Sequence, residues 1–429
     1  MAFWFSALML ITIATLSPAA QAAPITVATN VSPSSTSFSS QRKIVRDSEG
    51  NIFTVYLRTV NNYSQVFLSE SADNGTVWRE IDQVSQGNYD SVRVSIAIDS
   101  EDRVHIFWTQ LIGEYGQIMY RTYGRAGWST QEQLTSGDAY SGFPSAAFDS
   151  EGRLHLIWYG YDGIAYQVYY TRLEGATWSD PVKLSQGFPD SVNPTVAVDS
   201  RNNVHVAWYK SNGRHYQINY LRWSNGWGPQ QILSSGVEDA FNPSMAIDSK
   251  DAVYVAWDAG TGPRTQIYYT VYRAGQWSEQ ESLTSGESGA RNPSIAVDAQ
   301  DSVYAFYDKT DGQIYLRKYS SGWEPEEKLT ESAENTFPSV RWSYCNNPSS
   351  GAGGQVDYVW TSTNADVTSL MYNGMHITEK PGFGHLNLQP FNIQLAAIAV
   401  AGILMMVLLP KLLSPTWKPK SPRNVRASF

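Results

Sequence analysis

The amino-acid sequence predicts an all-β protein, a seven-bladed β-propeller of four-stranded blades, followed by one C-terminal transmembrane helix. Three observations lead there. An aspartate closing an apolar alternation recurs at Asp47, Asp99, Asp149, Asp199, Asp248 and Asp298, at spacings of 52, 50, 50, 49 and 50 residues. Such periods belong to propellers or solenoids. Nine residues after each stands an aromatic: Tyr56, Trp108, Trp158, Trp208, Trp257 and Tyr307. Within each unit apolar residues alternate with period two, which marks strands and excludes a helical solenoid. A decayed seventh copy begins at "FPSVRWS", with Ser343 in the aspartate's place and Trp360 in the aromatic's. A six-bladed ring with a partial extra unit is the alternative.

The ends divide the chain. Residues 1–22, "MAFWFSALMLITIATLSPAAQA", form an apolar stretch too short to cross a bilayer and finish in a small-residue Ala20-x-Ala22 site, as a secretory signal does. Residues 23–380 are the propeller ectodomain, and 381–392 a linker. Residues 393–413, "IQLAAIAVAGILMMVLLPKLL", carry no charge before Lys411 and match the length of a spanning helix. The tail, 414–429, carries Lys418, Lys420, Arg423 and Arg426 and no acid, so the positive-inside rule places it in the cytoplasm and the propeller outside the cell.

Composition narrows the partners. The formal net charge is −9, although the tail is basic. Phosphate backbones need a basic surface, so nucleic acid is excluded as a partner. The one cysteine, Cys345, excludes an internal disulfide framework and a cysteine-cluster metal site. The fold must be held by its core, for which 15 Trp and 26 Tyr supply ample apolar area.

Each unit reads as four short strands. "NPTVAVDS" opens a strand with proline where its missing N–H does least harm. "DSRNN" and "DSEGR" are turns, and "VHVAWY" and "YQINYLRW" are β-branched and aromatic runs. A glutamine recurs at Gln65, Gln117, Gln167, Gln217, Gln266 and Gln313, and a Gly-Trp pair precedes the last strand. Two segments could close the ring: 24–30, or 375–378 after the hairpin signal Asn373-Gly374.

One stretch is more specific. "SADNGTVW" (71–78) carries Ser71, Asp73, Gly75 and Trp78 at the spacing of an Asp-box, with Val77 where threonine is usual. With the repeats, this resembles the BNR or sialidase-superfamily β-propeller over about residues 25–378. The resemblance implies that the box shapes a turn between third and fourth strands, away from any active site. It also implies that a true sialidase would hold its substrate's carboxylate with three arginines, the first in an F-R-I-P-like motif. The sequence has no such motif; Arg42 in "SSQRKIVRD" stands near the place without the flanking aromatic or proline.

Other residues bear on function. His105, His155 and His205 occupy one column, shared elsewhere with Phe53, Tyr254, Tyr304 and Asp357, and lie on separate blades too far apart to share an ion. No metal or cofactor is expected. The glutamine column, with Arg121, Arg172, Arg222 and Arg317, reads as polar groups satisfying backbone or a neighbouring blade. If seven shallow pockets bound sugars, the same column would supply their donors. Single-site candidates lie on the face shared by the loops before the first strand and between the second and third. The ligand-binding set is Arg93, Tyr140, Tyr161, Asp162, Arg214, Arg264 and Arg291. The catalytic candidates are Arg214, His215 and Tyr216, the first place to look for a lyase, and Glu238 and Asp239, which would supply proton transfer. Further loop-face residues include Asp258 and Asp308. Asn30, Asn62 and Asn74 begin N-glycosylation sequons.

The leading expectation is a cell-surface propeller that binds a glycan or an extracellular protein through its loop face without turnover. The alternatives are a carbohydrate-active enzyme, a sialidase-like glycoside hydrolase or polysaccharide lyase with a funnel active site, and a structural component of the cell envelope.

Overall fold

Each repeat aspartate makes a turn that a neutral side chain would make less well. In the computed structural model, which describes residues 23–38, 40–340 and 355–376, Asp99 Oδ1 accepts the backbone N–H groups of Glu101 (2.9 Å) and Arg103 (2.8 Å). Asp248 does the same with Lys250 (3.0 Å) and Ala252 (2.8 Å). One carboxylate oxygen thus satisfies two donors that the reversal leaves unpaired. On either side of the turn the apolar alternations pair antiparallel.

Among the described residues this yields seven antiparallel sheets. The innermost strands are Ile44–Arg46, Ser91–Ile98, Ser141–Phe148, Ser191–Val198, Ala240–Ile247, Ala290–Val297 and Glu334–Val340. The second strands are Ile52–Val60, Val104–Ile112, Leu154–Tyr161, Val204–Ser211, Val253–Ala259, Val303–Lys309 and Gln355–Asn364. The architecture is the seven-bladed propeller expected, and the six-bladed alternative falls. Ile25–Thr29 closes the ring by pairing antiparallel with Val367–His376, from Ile25 opposite Tyr372 to Thr29 opposite Ser369, with a register shift between Thr26 and Ala28. Asn373 and Gly374 lie inside that strand and form no hairpin, because their partners Tyr358 and Asp357 continue the ladder through them.

The aromatic column is the core. Tyr56, Trp108, Trp158, Trp208, Trp257, Tyr307 and Trp360 are all at most 4% exposed, and each apolar cluster joins two adjacent blades. Tyr56 packs with Phe67, Val359 and Tyr372 across the closing seam; Trp257 packs with Ala207 and Ile218 of the preceding blade. Apolar burial therefore holds blade to blade, consistent with a chain that has one cysteine. The turns add polar ties: Ser48, Ser200 and Ser249 each donate through N–H and Oγ to Asp102, Asp251 and Asp301 of the next blade, at 2.5–3.0 Å.

The segment before the first blade fills the axis. Gln41 donates to the carbonyls of Arg93 (2.9 Å) and Pro144 (3.0 Å). Arg42 reaches across to the carbonyls of Met245 (2.7 Å) and Ile295 (3.1 Å) and to Ser294 Oγ (3.1 Å). Lys43 Nζ meets the carbonyl of Val94 at 2.5 Å. Burial pushes Arg42 down to about 10 and Lys43 well below its ordinary value. Arg42 is thus bonded to the scaffold rather than presented to a ligand.

Among the described residues no helix is long and apolar enough to cross a membrane. The expected signal (1–22), linker (381–392), transmembrane helix (393–413) and tail (414–429) lie outside the described residues.

Candidate functional site

Six innermost strands carry a β-bulge at the same place, near the loop face: between Val92 and Ser95, Gly142 and Ser145, Val192 and Thr195, Phe241 and Ser244, Arg291 and Ser294, and Thr336 and Ser339. The bulged residues Arg93, Phe143, Asn193, Asn242, Asn292 and Phe337 all take positive φ, between 50° and 61°. Bulges re-aim side chains, and asparagine tolerates this backbone better than most residues. Behind them, near the ends of the second strands, stands a second column that differs from blade to blade: Thr109, Tyr159, Tyr209, Asp258, Asp308 and Thr361.

One arc of this double ring is aromatic. The Arg93 guanidinium lies over Phe38 (4.2 Å) and Phe143 (4.7 Å). Phe143 meets Tyr159 at 4.8 Å, Tyr159 stacks on Tyr140 at 5.8 Å, and Tyr166 links both to Tyr161 at the rim, 5.5 Å away. Tyr140 fits because Gly116 and Gly142 flank it; a Cβ on either would come within 2.5 Å of its ring or hydroxyl. On the next blade Tyr209, Tyr216 and Phe241 form a second group with centroids 5.1–5.5 Å apart. Burial raises the Tyr140 and Tyr159 hydroxyls, and holds Tyr209 at about 12 with help from Tyr216 and Asp258. These phenols remain protonated at neutral pH.

The adjoining arc is acidic. Asp258 and Asp308 are 4% and 7% exposed, and Asn292 bridges them: its N–H donates to Asp258 Oδ2 (2.9 Å) and its Nδ2 to Asp308 Oδ1 (2.9 Å). Asn242 Nδ2 adds a bond to Asp258 Oδ2 (3.0 Å), and Phe337 N–H one to Asp308 Oδ1 (3.1 Å). Each carboxyl group therefore has one oxygen fixed by two donors, while Asp258 Oδ1 and Asp308 Oδ2 accept no hydrogen bond among the described residues. Burial pushes Asp258 up to about 6; burial, with the charge of Asp258, pushes Asp308 up to about 7. Arg291, exposed at the rim, moderates both. Between about pH 6 and pH 7 the coupled pair holds about one proton.

The sequence candidates divide accordingly. Arg93 and Tyr140 belong to the funnel, Tyr161 to its rim, and Arg291 to the acidic arc, with NH2 3.3 Å from the Gly262 carbonyl. Asp162 is a turn residue: it accepts the N–H groups of Ile164 and Ala165 and pairs with Lys183 at 3.0 Å, and these bonds hold it at about 2. Asp239 accepts the Tyr216 N–H at 2.8 Å, as Asp90 accepts that of Ser64 and Asp190 that of Tyr166. It repeats a structural bond between blades. His215 Nδ1 lies 3.5 Å from Asp239 Oδ1. Arg214 and Glu238 are exposed at loop tips, and Arg264 in the turn Gly262–Arg264. Arg291 thus touches the turn that carries Arg264, and Arg214 stands on a separate loop. The sequence reading named Asp258 and Asp308 singly, and two readable signals that align them went unused: the non-repeating column ten residues after each aspartate, and the asparagine before proline in "VNPTV", "FNPSM" and "RNPSI".

The repeated polar columns are structural. Gln65, Gln117, Gln167, Gln266 and Gln313 each donate to a carbonyl of the loop entering the next blade, at Tyr89, Gly137, Gly187, Gly286 and Ala333 (2.8–3.2 Å). They are not free to line repeated sugar pockets. Each column histidine sits between its blade's aspartate and a tyrosine; His105, for instance, lies 3.1 Å from Asp99 and 2.8 Å from Tyr120. Among the described residues no three His, Cys, Asp or Glu side chains are placed to hold a metal.

Residues 71–78 form a tight turn. Ser71 Oγ donates to Asp73 (2.8 Å) and accepts from Gly75 N–H (2.9 Å), Asp73 accepts from Val77 N–H (2.8 Å), and Trp78 Nε1 donates to the Gly75 carbonyl (3.0 Å). The turn faces the closing blade. Asn74 donates to Gln355 (2.8 Å) and accepts from Arg46 (2.8 Å), and Trp78 meets Tyr372 edge-on at 5.0 Å.

No family model matches the chain, and no curated protein does. Solved structures do. An ulvan lyase of polysaccharide lyase family PL25, bound to -[GlcA(1-4)Rha3S]-, superposes with a TM-score of 0.62 at 12% identity, over 82% of this chain and 96% of that one. An α-L-arabinofuranosidase from Fusarium graminearum, in complex with an iminosugar inhibitor, gives 0.52 at 9% identity, over 84% and 99%. The polysaccharide lyase Uly1 gives 0.50 at 10% identity, over 78% and 89%. At such identities the likeness establishes the fold. It also corrects the leading expectation of a binding-only propeller: the solved propellers that superpose on this chain are enzymes, so the architecture does not mark a non-catalytic protein.

Proposed function

We propose that the chain is a carbohydrate-active enzyme that cleaves a polysaccharide in the loop-face funnel by general acid–base catalysis. The observation that carries this reading is the pair Asp258 and Asp308: buried, bridged by Asn292, each with one oxygen fixed and one free, and together holding about one proton between about pH 6 and pH 7. Glycoside hydrolysis needs such a pair, one carboxylic acid to protonate the leaving oxygen and one carboxylate to act as base or nucleophile. Asp308, the higher of the two, is the acid. Asp258, held as carboxylate by Asn242 and Asn292, is its partner. On the adjoining arc, the tyrosines from Tyr159 out to Tyr161 offer apolar ring faces with hydroxyl edges, the surface that sugar rings stack on. Arg93 and Arg291 stand ready for an acidic substituent. The superposable lyase with a bound acidic oligosaccharide and the glycosidase with an iminosugar support this substrate class. The expected leader and anchor would place the reaction outside the cell.

The test is digestion of neutral and acidic polysaccharides, read as new reducing ends and as ultraviolet absorbance from the unsaturated ends that lysis alone leaves. Hydrolysis gives the first without the second, and Asp308→Asn lowers the rate by roughly a hundredfold or more. Absorbance would keep the enzyme but replace Asp308 as the acting group. Activity untouched in both Asp258→Asn and Asp308→Asn would remove the site from the funnel acids.

A further inference from the structure

On the face opposite the funnel, the turns of the fourth and fifth blades enclose a cleft of about 710 Å³ lined by Arg201, Arg222, Lys250 and Arg273 together with Asp248 and Asp251. We propose that this cleft is an oxyanion-binding site that takes a sulfate or phosphate group between Arg222 and Arg273.

The repeat itself shows that charge is reversed here. Two residues after the repeat aspartate the first three blades carry Glu49, Glu101 and Glu151; the fourth and fifth carry Arg201 and Lys250. Two residues after Arg172 stands Glu174, which pairs with it at 2.9 Å. Arg222 occupies the same place in the next blade, and the position of Glu174 is there Ser224. Arg222 thus has lost its partner: its nearest carboxylate oxygen, Asp199 Oδ2, is 3.9 Å away, and its Nε is buried without a hydrogen bond. Arg273 is similar, with its guanidinium against the Tyr254 hydroxyl and Asp248 Oδ2 4.0 Å off. The other two cations are occupied, Arg201 by Asp251 and Lys250 by Asp301, each at 3.0 Å. They frame the cleft and raise its potential.

A guanidinium without a close carboxylate is a fork of donors matched to an oxyanion, and two of them on one cleft suit a tetrahedral group. The corresponding cleft of the second blade, lined by Glu101, Asp102, Arg103 and Arg125 among others, has its arginines satisfied: Arg103 by Asp99 at 2.7 Å and Arg125 by Glu49 at 2.9 Å. The site is independent of the funnel and of the proposed cleavage.

The group could be a free ion or an ester on a polymer, and calorimetric titration of the full chain separates the two. Sodium sulfate, dextran sulfate and uncharged dextran are titrated at constant ionic strength. Sulfate or dextran sulfate binds, uncharged dextran does not, and Arg222→Met or Arg273→Met weakens binding by roughly tenfold or more. Heat from sodium sulfate identifies a free ion as sufficient; heat from dextran sulfate alone identifies a polymer-borne ester. Ser224→Glu, at an exposed position, supplies Arg222 with the carboxylate that Arg172 has, and weakens binding without deleting a half-buried cation. No heat from either sulfate, or binding undiminished in Arg222→Met and Ser224→Glu, overturns the proposal.

Discussion

Arg46 and Asp357 meet in two hydrogen bonds, Nε to Oδ2 at 2.9 Å and NH2 to Oδ1 at 2.6 Å, with side chains 2% and 0% exposed, across the seam where the last blade joins the first. Tyr372 donates to the same carboxylate at 2.8 Å, and Arg46 NH1 reaches Asn74 of the Asp-box. Removing one partner leaves a buried charge alone. Asp357→Ala is expected to cost about 3–5 kcal/mol in urea unfolding, well above the 0–1 kcal/mol typical of an exposed pair such as Arg125–Glu49.

The same seam sets the turn at residues 71–78 apart. Gly75 has φ +89°, and a Cβ there would lie 2.0 Å from the Tyr372 ring; Gly175, in a corresponding turn with φ +61°, has nothing within 4 Å. Gly175→Ala meets backbone strain alone, about 1–2 kcal/mol. Gly75→Ala meets that strain and must also displace Tyr372, so its loss of stability is expected to be at least twice as large in the same unfolding assay. The sequon at Asn74 belongs here as well. Asn74 is exposed, as Asn30 and Asn62 are, but its side-chain amide is bonded to Gln355 and Arg46. Mass spectrometry of chain from a glycosylating host is expected to find sugar at Asn74 in none of the folded protein.

Much of this was legible because it repeats. The aspartate turns, the aromatic column and the period-two strands recur every fifty residues, and periodicity is what a single sequence displays best. Closure by residues 25–29 was one of two readings, since a strand's partner does not follow from its own alternation. The site was less legible for the opposite reason: Asp258 and Asp308 share their column with Tyr159 and Tyr209, and nothing local says that a bulge beside them will bury a carboxylate. Arg42 drew notice as a displaced ligand arginine. Its role in the axis depends on carbonyls more than 200 residues away.

Stability should respond to pH through the two funnel acids. Their folded pKa values, about 6 and about 7, lie above the ordinary 3.8. Between those limits the folded state binds more protons than the unfolded one, so this contribution is fully present at low pH and is lost as pH rises through about 7. Asp308→Asn removes the part of the dependence that belongs to Asp308. Relative to the wild type, the variant is expected to gain on the order of 3 kcal/mol between about pH 5 and pH 8, as read from paired unfolding curves. A constant difference across that range would place Asp308 in contact with water.

The aromatic arc should govern substrate reach rather than chemistry. Tyr161, 43% exposed at the rim, touches Tyr166 and is separated from the acids by the inner tyrosines. With a polysaccharide substrate, Tyr161→Ala is expected to raise KM by about 5–10-fold, the value of one lost stacking contact, and to leave kcat within a factor of about two. Short oligosaccharides that do not reach the rim should show no effect.

The most direct measurement is the pH dependence of kcat for polysaccharide cleavage by the wild type, Asp258→Asn and Asp308→Asn. The account expects a bell for the wild type, with limbs near 6 and 7, and a fall of roughly a hundredfold or more in either variant, the basic limb disappearing with Asp308. Full activity and an unchanged profile in Asp308→Asn would contradict it and leave the buried pair as a structural clasp between the fifth, sixth and seventh blades.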